Sequence, residues 1–281
     1  MNKRLTIRDM HQAKLDGRKI VAVACYDYTT AQLAAQANVD MIIVGDSAAQ
    51  LVLGRESTLH AGMDFMVQIT EAVRRGAPEV CLVADMPFMS YQVDPAEALR
   101  NAARFVVEAG AQVVKIEVSA AYEPVVRAVS DAGISVMAHI GIRPQRISKA
   151  GVLKAEGTTA EMAYELIELA GRMVQAGADS LLIEGTAKEV AALVTERAGV
   201  PVISCGSGPD CDGQVLVAPD ILGLTQGRKP KFARSFAQLD RAVVEAFNAY
   251  GQDVRDRVYP ADEHCYHMKP GELERLRASL G

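Results

Sequence analysis

The stretch QVVKIE, residues 112–117, is where the fold can first be read. Val113, Val114 and Ile116 have the look of a buried strand, yet Lys115 stands inside it and Glu117 at its tip. The pattern recurs. MIIVGDS runs to Asp46, VCLVADMPF to Asp85 and DSLLIEG to Glu184. Short continuous apolar runs of this kind are strands covered on both faces, as in a parallel sheet. An acid at the same point of successive strands needs a common reason.

Outward from these runs the chain is a quasi-repeat. Six segments pair a small-residue or glycine turn with an apolar run: AQANVDMIIVGD, RGAPEVCLVAD, EAGAQVVKIE, DAGISVMAHI, QAGADSLLIE and RAGVPVISCG. Helix-period segments such as DPAEALRNAARFVVEAG and TAEMAYELIELAGRMVQAG lie between most of them. These helices run into glycine, which accepts the left-handed conformation just past a helix end. KIVAVAC (19–25) before them and PDILGL (219–224) after them bring the expected strands to eight. Eight strand–helix units in about 250 residues match an α/β fold of the closed (β/α)8 TIM barrel type. A doubly wound open sheet is the alternative, but its dinucleotide-binding glycine fingerprint is missing after the first strand. No Pro/Ser-rich linker divides the chain, so residues 1–281 are read as one barrel domain. TIRDMHQAKL is expected to be a short capping helix at the barrel bottom, with Thr6 as its cap and Ile7, Met10 and Lys14 on one face. A polar tail follows Tyr259.

Composition narrows the function. Hydrophobic residues make up 49% and charged residues 23%, enough apolar chain for a sizeable core. A formal charge of -5 speaks against nucleic acid or an anionic membrane as partner. The opening MNKRLTIRDMHQAKLDG has no long apolar run, so no signal peptide or membrane span is expected there. Five cysteines, Cys25, Cys81, Cys205, Cys211 and Cys265, form no CxxC pair and several fall in apolar strands, which points to reduced thiols and a cytoplasmic protein.

In such a barrel the residues just past each strand converge on one mouth, where active sites are built. Asp46, Asp85, Glu117 and Glu184 would meet there, with Lys115 and, from VMAHIG, His139. Any one acid could instead cap the next helix, Asp46 and Ser47 most readily. Together they cannot be indifferent to one another: two carboxylates about 4 Å apart repel by about 4 kcal/mol at an effective dielectric of about 20. They must protonate, spread apart or hold a cation. Oxygen ligands favour a hard divalent ion, and Mg²⁺ suits a site with few protein carboxylates. Zinc is disfavoured, since no cysteine accompanies the acids. Lys115 alternates with Val113 and Glu117 into the barrel interior, where it needs an acid or an anionic substrate as partner; a structural ion pair is the plainer account. His139 could equally be a core histidine satisfied by backbone. Elsewhere, SCGSGPDCDG could bind phosphate or simply turn tightly, and QGRKPKFARSF gathers Arg228, Lys229, Lys231 and Arg234 in what is by default a solvated loop. HCYH sets His264 and His267 at helical spacing, with no further ligands expected.

The motifs ACYDYTTAQLA, VGDSAAQLVLGRESTL, AVRRGAP, ADMPFMSY, NAARFVVEAGAQVVKIE, AHIGIRPQ, CDGQVLVAPDILGL, PKFARSF and VYPADEH, in collinear order, resemble the ketopantoate (3-methyl-2-oxobutanoate) hydroxymethyltransferase family. The resemblance implies a barrel similar to phosphoenolpyruvate mutase and isocitrate lyase enzymes. It implies Mg²⁺, 3-methyl-2-oxobutanoate as acceptor and 5,10-methylenetetrahydrofolate as co-substrate, with ketopantoate made for pantothenate and coenzyme A. Homo-oligomers, commonly decamers, are also implied. By motif, Asp46, Asp85 and Glu117 correspond to metal-associated acids. Asp46, Ser47, Asp85, Lys115 and His139 correspond to substrate contacts, and Glu184 to the proton acceptor. A Mg²⁺-stabilised enolate formed by loss of the C3 proton fits these residue types. Four segments depart from the family pattern: AHIGIRPQ with Ala138 and Arg143, GVLKAEGT, GTA after Glu184, and SCGSG. They fall in expected mouth loops, so a related Mg²⁺-dependent lyase, aldolase or mutase acting on another 2-oxo acid is the alternative. A non-catalytic binding paralogue is a third, which the intact acids, base and lysine weigh against.

Overall fold

The computed structural model describes residues 4–227 and 229–281. Eight parallel strands pair in sequence order and close on themselves. They are β1 Ile20–Ala24, β2 Met41–Val44, β3 Cys81–Asp85, β4 Val113–Glu117, β5 Ser135–Gly141, β6 Ser180–Glu184, β7 Val202–Cys205 and β8 Gly213–Val217. Around them run α1 Ile7–Leu15, α2 Tyr28–Gln36, α3 Ala48–Leu51, α4 Met63–Gly76, α5 Pro95–Val107, α6 Glu123–Asp131, α7 Ile147–Ala150, α8 Ala160–Gln175 and α9 Lys188–Arg197. After β8 come α10 Ala218–Leu222, α11 Leu239–Arg255 and, within the expected polar tail, α12 Glu272–Leu280.

The helices form where capping and periodicity agree. Asp94 accepts the Glu97 N–H at 2.8 Å and Pro95 opens α5, whose Ala98, Ala102 and Phe105 make one buried stripe. Thr159 plays the same part for α8, with Leu166, Ala170 and Met173 turned inward. Both chains then reverse through a glycine with positive φ, Gly110 at 71° and Gly177 at 101°. At the bottom, the Thr6 N–H and hydroxyl both donate to Asp9 Oδ2, at 2.8 and 2.7 Å, and start α1. Its Met10 is fully buried against the barrel interior, a burial that contributes about 1.5–3 kcal/mol.

One expected element is corrected. The eighth strand is GQVLV, not PDILGL, which instead supplies most of α10 and its left-handed cap Gly223. Pro219 lacks the N–H that a strand ladder needs but fits a first helical turn. GQVLV pairs with β1 from Ile20↔Gly213 to Ala24↔Val217 and so closes the barrel.

Two apolar layers result. Outward strand residues such as Ile42, Leu82, Val114 and Val136 pack under the helices. Inward ones, among them Met41, Ile43, Val83, Val113, Met137 and Leu182, fill the barrel. Moving up the inward faces, the side chains turn ionisable: Val83 gives way to Asp85, Val113 to Lys115 and Glu117, Met137 to His139, Leu182 to Glu184. The outer wall is incomplete on one side. No helix joins β7 to β8, and Val21 of β1 is 52% exposed on its outward face. None of the 17 residues of α11 is buried.

Candidate active site

Strand register brings the charged residues together. Asp85 and Lys115 are register partners on β3 and β4, and Lys115 Nζ lies 3.0 Å from Asp85 Oδ2. The same oxygen accepts the Asp46 N–H at 3.0 Å, while Asp85 Oδ1 is buried with no hydrogen-bond partner. Glu117 and His139 are partners across β4 and β5, with Nδ1 4.0 Å from Glu117 Oε1. Lys115 Nζ sits 3.2 Å from the same His139 Nδ1. An ammonium can only donate, so Nδ1 accepts and the ring proton of neutral His139 sits on Nε2. That nitrogen faces Glu184 Oε2 at 3.4 Å, too loosely directed for a hydrogen bond. Glu184 itself comes up on β6, opposite Gly141 on one side and Cys205 on the other.

None of the four acids caps a helix. The N-cap positions of α4, α5, α6 and α9 are Gly62, Asp94, Tyr122 and Ala187. Ser47 stands at the N-cap of α3 but makes no cap hydrogen bond; its hydroxyl pairs with Tyr26 at 2.8 Å. Asp46, Ser47, Asp85, Lys115, Glu117, His139 and Glu184 all line one cavity of about 390 Å³, within the range of small-molecule sites. Leu153, Leu182, Val215 and Phe232 add an apolar wall. A larger surface groove of about 580 Å³ lies beside α8 and contains none of these seven.

The charges are short of cations. Burial, then the Asp85 charge, push the Asp46 carboxyl up to about 7 against the pull of Lys115 and Gln145. Burial likewise lifts Glu184 to about 7, with Lys115 opposing. Glu117 is raised well above the carboxylate range by burial and by Asp46. His139 is held neutral by burial and by Lys115. For Lys115, burial works against the charge, but Asp85, Asp46 and Glu117 outweigh it and the net direction is upward. One ammonium thus answers several buried acids, an arrangement that a divalent ion would relieve.

Among the described residues, no three His, Cys, Asp or Glu side chains form a ready-made metal cage. The Asp85 carboxylate meets the Asp46 backbone N–H, whereas both Glu117 oxygens accept the Gln145 N–H, at 3.2 and 3.1 Å. The partnerless, buried Asp85 Oδ1 beside Asp46 fits an ion that takes few carboxylates and leaves positions for water and substrate oxygens, as Mg²⁺ does.

Other sequence candidates resolve differently. Gly206 has φ 71°, and a Cβ there would run into the Phe232 ring. The Ser207 N–H is taken by Ser204 Oγ and its hydroxyl by Ile183 O, so the glycine-rich loop ties β6 to β7 and seats Phe232. In the basic segment, Lys229 bonds Ser235 at 2.7 Å and Arg234 stacks over Phe236; Arg228 lies outside the described residues. Gln145, Tyr91 and Tyr26 lie in the motifs AHIGIRPQ, ADMPFMSY and ACYDYTTAQLA, where the sequence assigns them no role, yet all three are buried against the acids or Ser47.

A closed parallel barrel with an ionisable, cavity-forming mouth at the strand C-termini is the architecture of a barrel enzyme. Within that class the chain belongs to the ketopantoate hydroxymethyltransferase family, whose sequence profile matches residues 4–262. It is 45% identical over 276 residues to the 3-methyl-2-oxobutanoate hydroxymethyltransferase of Syntrophobacter fumaroxidans, covering 98% of each chain. It is 44% identical over 275 residues to that of Hyperthermus butylicus, covering 98% of this chain and 95% of the other. The fold is shared with solved structures, one of them a PEP mutase/isocitrate lyase superfamily member. It matches 2,3-dimethylmalate lyase with a TM-score of 0.59 at 19% identity, covering 98% of this chain and 99% of that one. It matches phosphonopyruvate hydrolase, crystallised with oxalate and Mg²⁺, with a TM-score of 0.61 at 17% identity over 97% of each chain. Among the described residues, no helix is long and apolar enough to cross a membrane.

Proposed function

We propose that this chain transfers a hydroxymethyl unit from 5,10-methylenetetrahydrofolate to 3-methyl-2-oxobutanoate, giving ketopantoate for pantothenate and coenzyme A synthesis. Family membership supports the reaction; the observation that carries its chemistry is the buried, partnerless Asp85 Oδ1 beside Asp46, in the cavity that also holds Lys115 and Glu184. Asp46 and Asp85 would hold Mg²⁺ most directly, with Glu117 behind them. Bound there, the ion would serve as a Lewis acid toward a 2-oxo acid.

The protein's own groups do the rest. Glu184 removes the C3 proton, and its carboxyl at about 7 is matched to the task near neutral pH. Lys115 faces the substrate carboxylate or the charge that develops at the keto oxygen. His139 Nε2–H, buried with no hydrogen-bond partner and 3.4 Å from Glu184, would donate to the substrate and so orient it beside the base. Ser47, fixed by Tyr26, offers a hydroxyl to the oxo acid. C3 then bonds to the methylene carbon, water supplies the hydroxyl oxygen, and tetrahydrofolate leaves. Leu153 and Phe232 would give the apolar side chain or the pterin a wall.

The test is ketopantoate formation from the two substrates with and without Mg²⁺. Product that needs both substrates and the ion is the expected result; no product with any ion overturns the assignment. The departures at Arg143 and SCGSG favour one check of the alternative: rates across 2-oxo acids should peak at 3-methyl-2-oxobutanoate, and a peak elsewhere would mark a relative with another acceptor.

A cytoplasmic homo-oligomer is part of the same proposal. All five cysteines are free, which suits a reducing compartment. Val243, Phe247, Tyr250 and Val254 form an exposed apolar stripe along α11, and the β8–β1 side of the barrel wall lies open. A second copy could cover both. Light scattering should return a mass above 30.1 kDa, the mass of one chain.

A further inference from the structure

Gln145 lies in the loop after β5 and is 5% exposed. Its side-chain nitrogen donates to Asp46 Oδ2 at 2.8 Å and to the Met86 carbonyl at 3.0 Å. Its side-chain oxygen accepts from the Tyr91 hydroxyl at 2.6 Å and from the Gln92 amide at 3.3 Å. Its backbone N–H serves both oxygens of Glu117. One residue therefore touches the C-terminal ends of β2, β3 and β4.

The surroundings leave the amide a single orientation. A carboxylate oxygen and a carbonyl can only accept, so the NH₂ must face Asp46 and Met86; the phenol and the Gln92 amide then donate to the oxygen. No other side chain of this length offers two donors at one end, for Asp46 and Met86, and an acceptor at the other. Methionine has the length and neither group, and an ionised glutamate would set oxygen against oxygen.

Strand pairing cannot do what this residue does. Asp46 and Glu117 rise from β2 and β4, which are separated by β3, so no ladder hydrogen bond sets their spacing. We propose that Gln145 is the positioning residue that fixes Asp46 and Glu117 relative to each other for a divalent ion, and that Tyr91 acts through it by fixing the amide. This rests on the assignment of the mouth acids to Mg²⁺. Groups that orient metal ligands are worth about 10–100-fold in metal affinity.

The experiment is calorimetric titration of the full-length, metal-free protein with Mg²⁺ alone, for Gln145→Met, Tyr91→Phe, the double variant and Asp85→Asn, each with its thermal midpoint measured without metal. Gln145→Met should weaken Mg²⁺ by about 10–100-fold. Tyr91→Phe, which keeps the ring against Tyr122, should weaken it less. In the double variant Tyr91→Phe should add less than it costs alone, because its shorter bond, 2.6 Å against 3.2 Å to the Glu117 carbonyl, is to an amide no longer there. A residue that merely anchors the loop would lower the thermal midpoint and leave Mg²⁺ affinity alone, or the two effects would add; either result overturns the proposal. Where Gln145→Met does not fold, unchanged affinity in Tyr91→Phe overturns it as well. Asp85→Asn separates the two levels. If that variant also binds Mg²⁺ normally, the metal assignment itself fails; if it loses Mg²⁺ while Gln145→Met does not, the positioning role alone falls.

Discussion

From β2 to β5 the rim is held mainly through side chains, with Asp85 on Lys115, Lys115 on His139, the Gln145 amide on Asp46 and the Gln145 backbone N–H on Glu117. From β6 to β8 it is held by loops: Glu156 bridges to Thr186, Ser207 ties β6 to β7, and Phe232 leans on Gly206. Exposure differs accordingly. The side chains of Asp85, Glu117 and His139 are 4%, 3% and 2% exposed, while Glu184 on the other half is 20% exposed. The packed half presets an array of charge that costs nothing to reorganise during reaction. The looser half admits substrate and holds the base, and the segments GVLKAEGT, GTA and SCGSG that depart from the family pattern fall in it or in the loop that lines it.

Substitutions should separate these halves. Glu184→Gln is expected to slow exchange of the substrate C3 proton with D₂O by about 10²–10⁴-fold while Mg²⁺ binding holds, followed by NMR. Lost Mg²⁺ binding in that variant would mean that the halves do not divide the labour. Lys115→Met leaves buried carboxylates without their cation and should destabilise the metal-free protein by about 3–5 kcal/mol in urea melts. A cost below about 1 kcal/mol would show the packed half to be no more committed than a surface ion pair.

The base also carries a pH signature. The Glu184 carboxyl rises from 4.5 to about 7 on folding, because burial outweighs Lys115. Between those values the folded chain holds a proton that the unfolded chain has released. This group's contribution is therefore full below pH 4.5 and is lost as pH rises through about 7. C3 exchange should climb through the same interval as the carboxylate forms. Urea melts at pH 5 and 8 should show a larger fall for the wild type than for Glu184→Gln; equal falls would remove the group from account. Smallest is Gly206→Ala. With φ 71° and Phe232 in the way it should cost about 1–3 kcal/mol and raise the KM for the folate, leaving C3 exchange near normal.

Much of this was legible because the barrel repeats a simple pattern. Apolar runs marked β1 to β7, and alternation from Val113 carried Lys115 and Glu117 to the inside. β8 was hidden: Gln214 interrupts its apolar run, no helix separates it from β7, and the next apolar segment drew the assignment instead. The role of Gln145, the last residue of AHIGIRPQ, was hidden for a different reason. Its partners lie 28 to 99 residues away, and no local pattern records which strands a loop amide will span. The Tyr26–Ser47 pair is the same kind of contact, and a cap-like serine gave no hint of it.

The exposed α11 bears on how this protein should be handled. If its apolar stripe finds cover only on another chain, dilution and heating become the same kind of stress, and melting temperature rises with the amount of protein in the tube. Scans at two concentrations a hundredfold apart would then disagree, and a stability quoted without its concentration would describe no definite state.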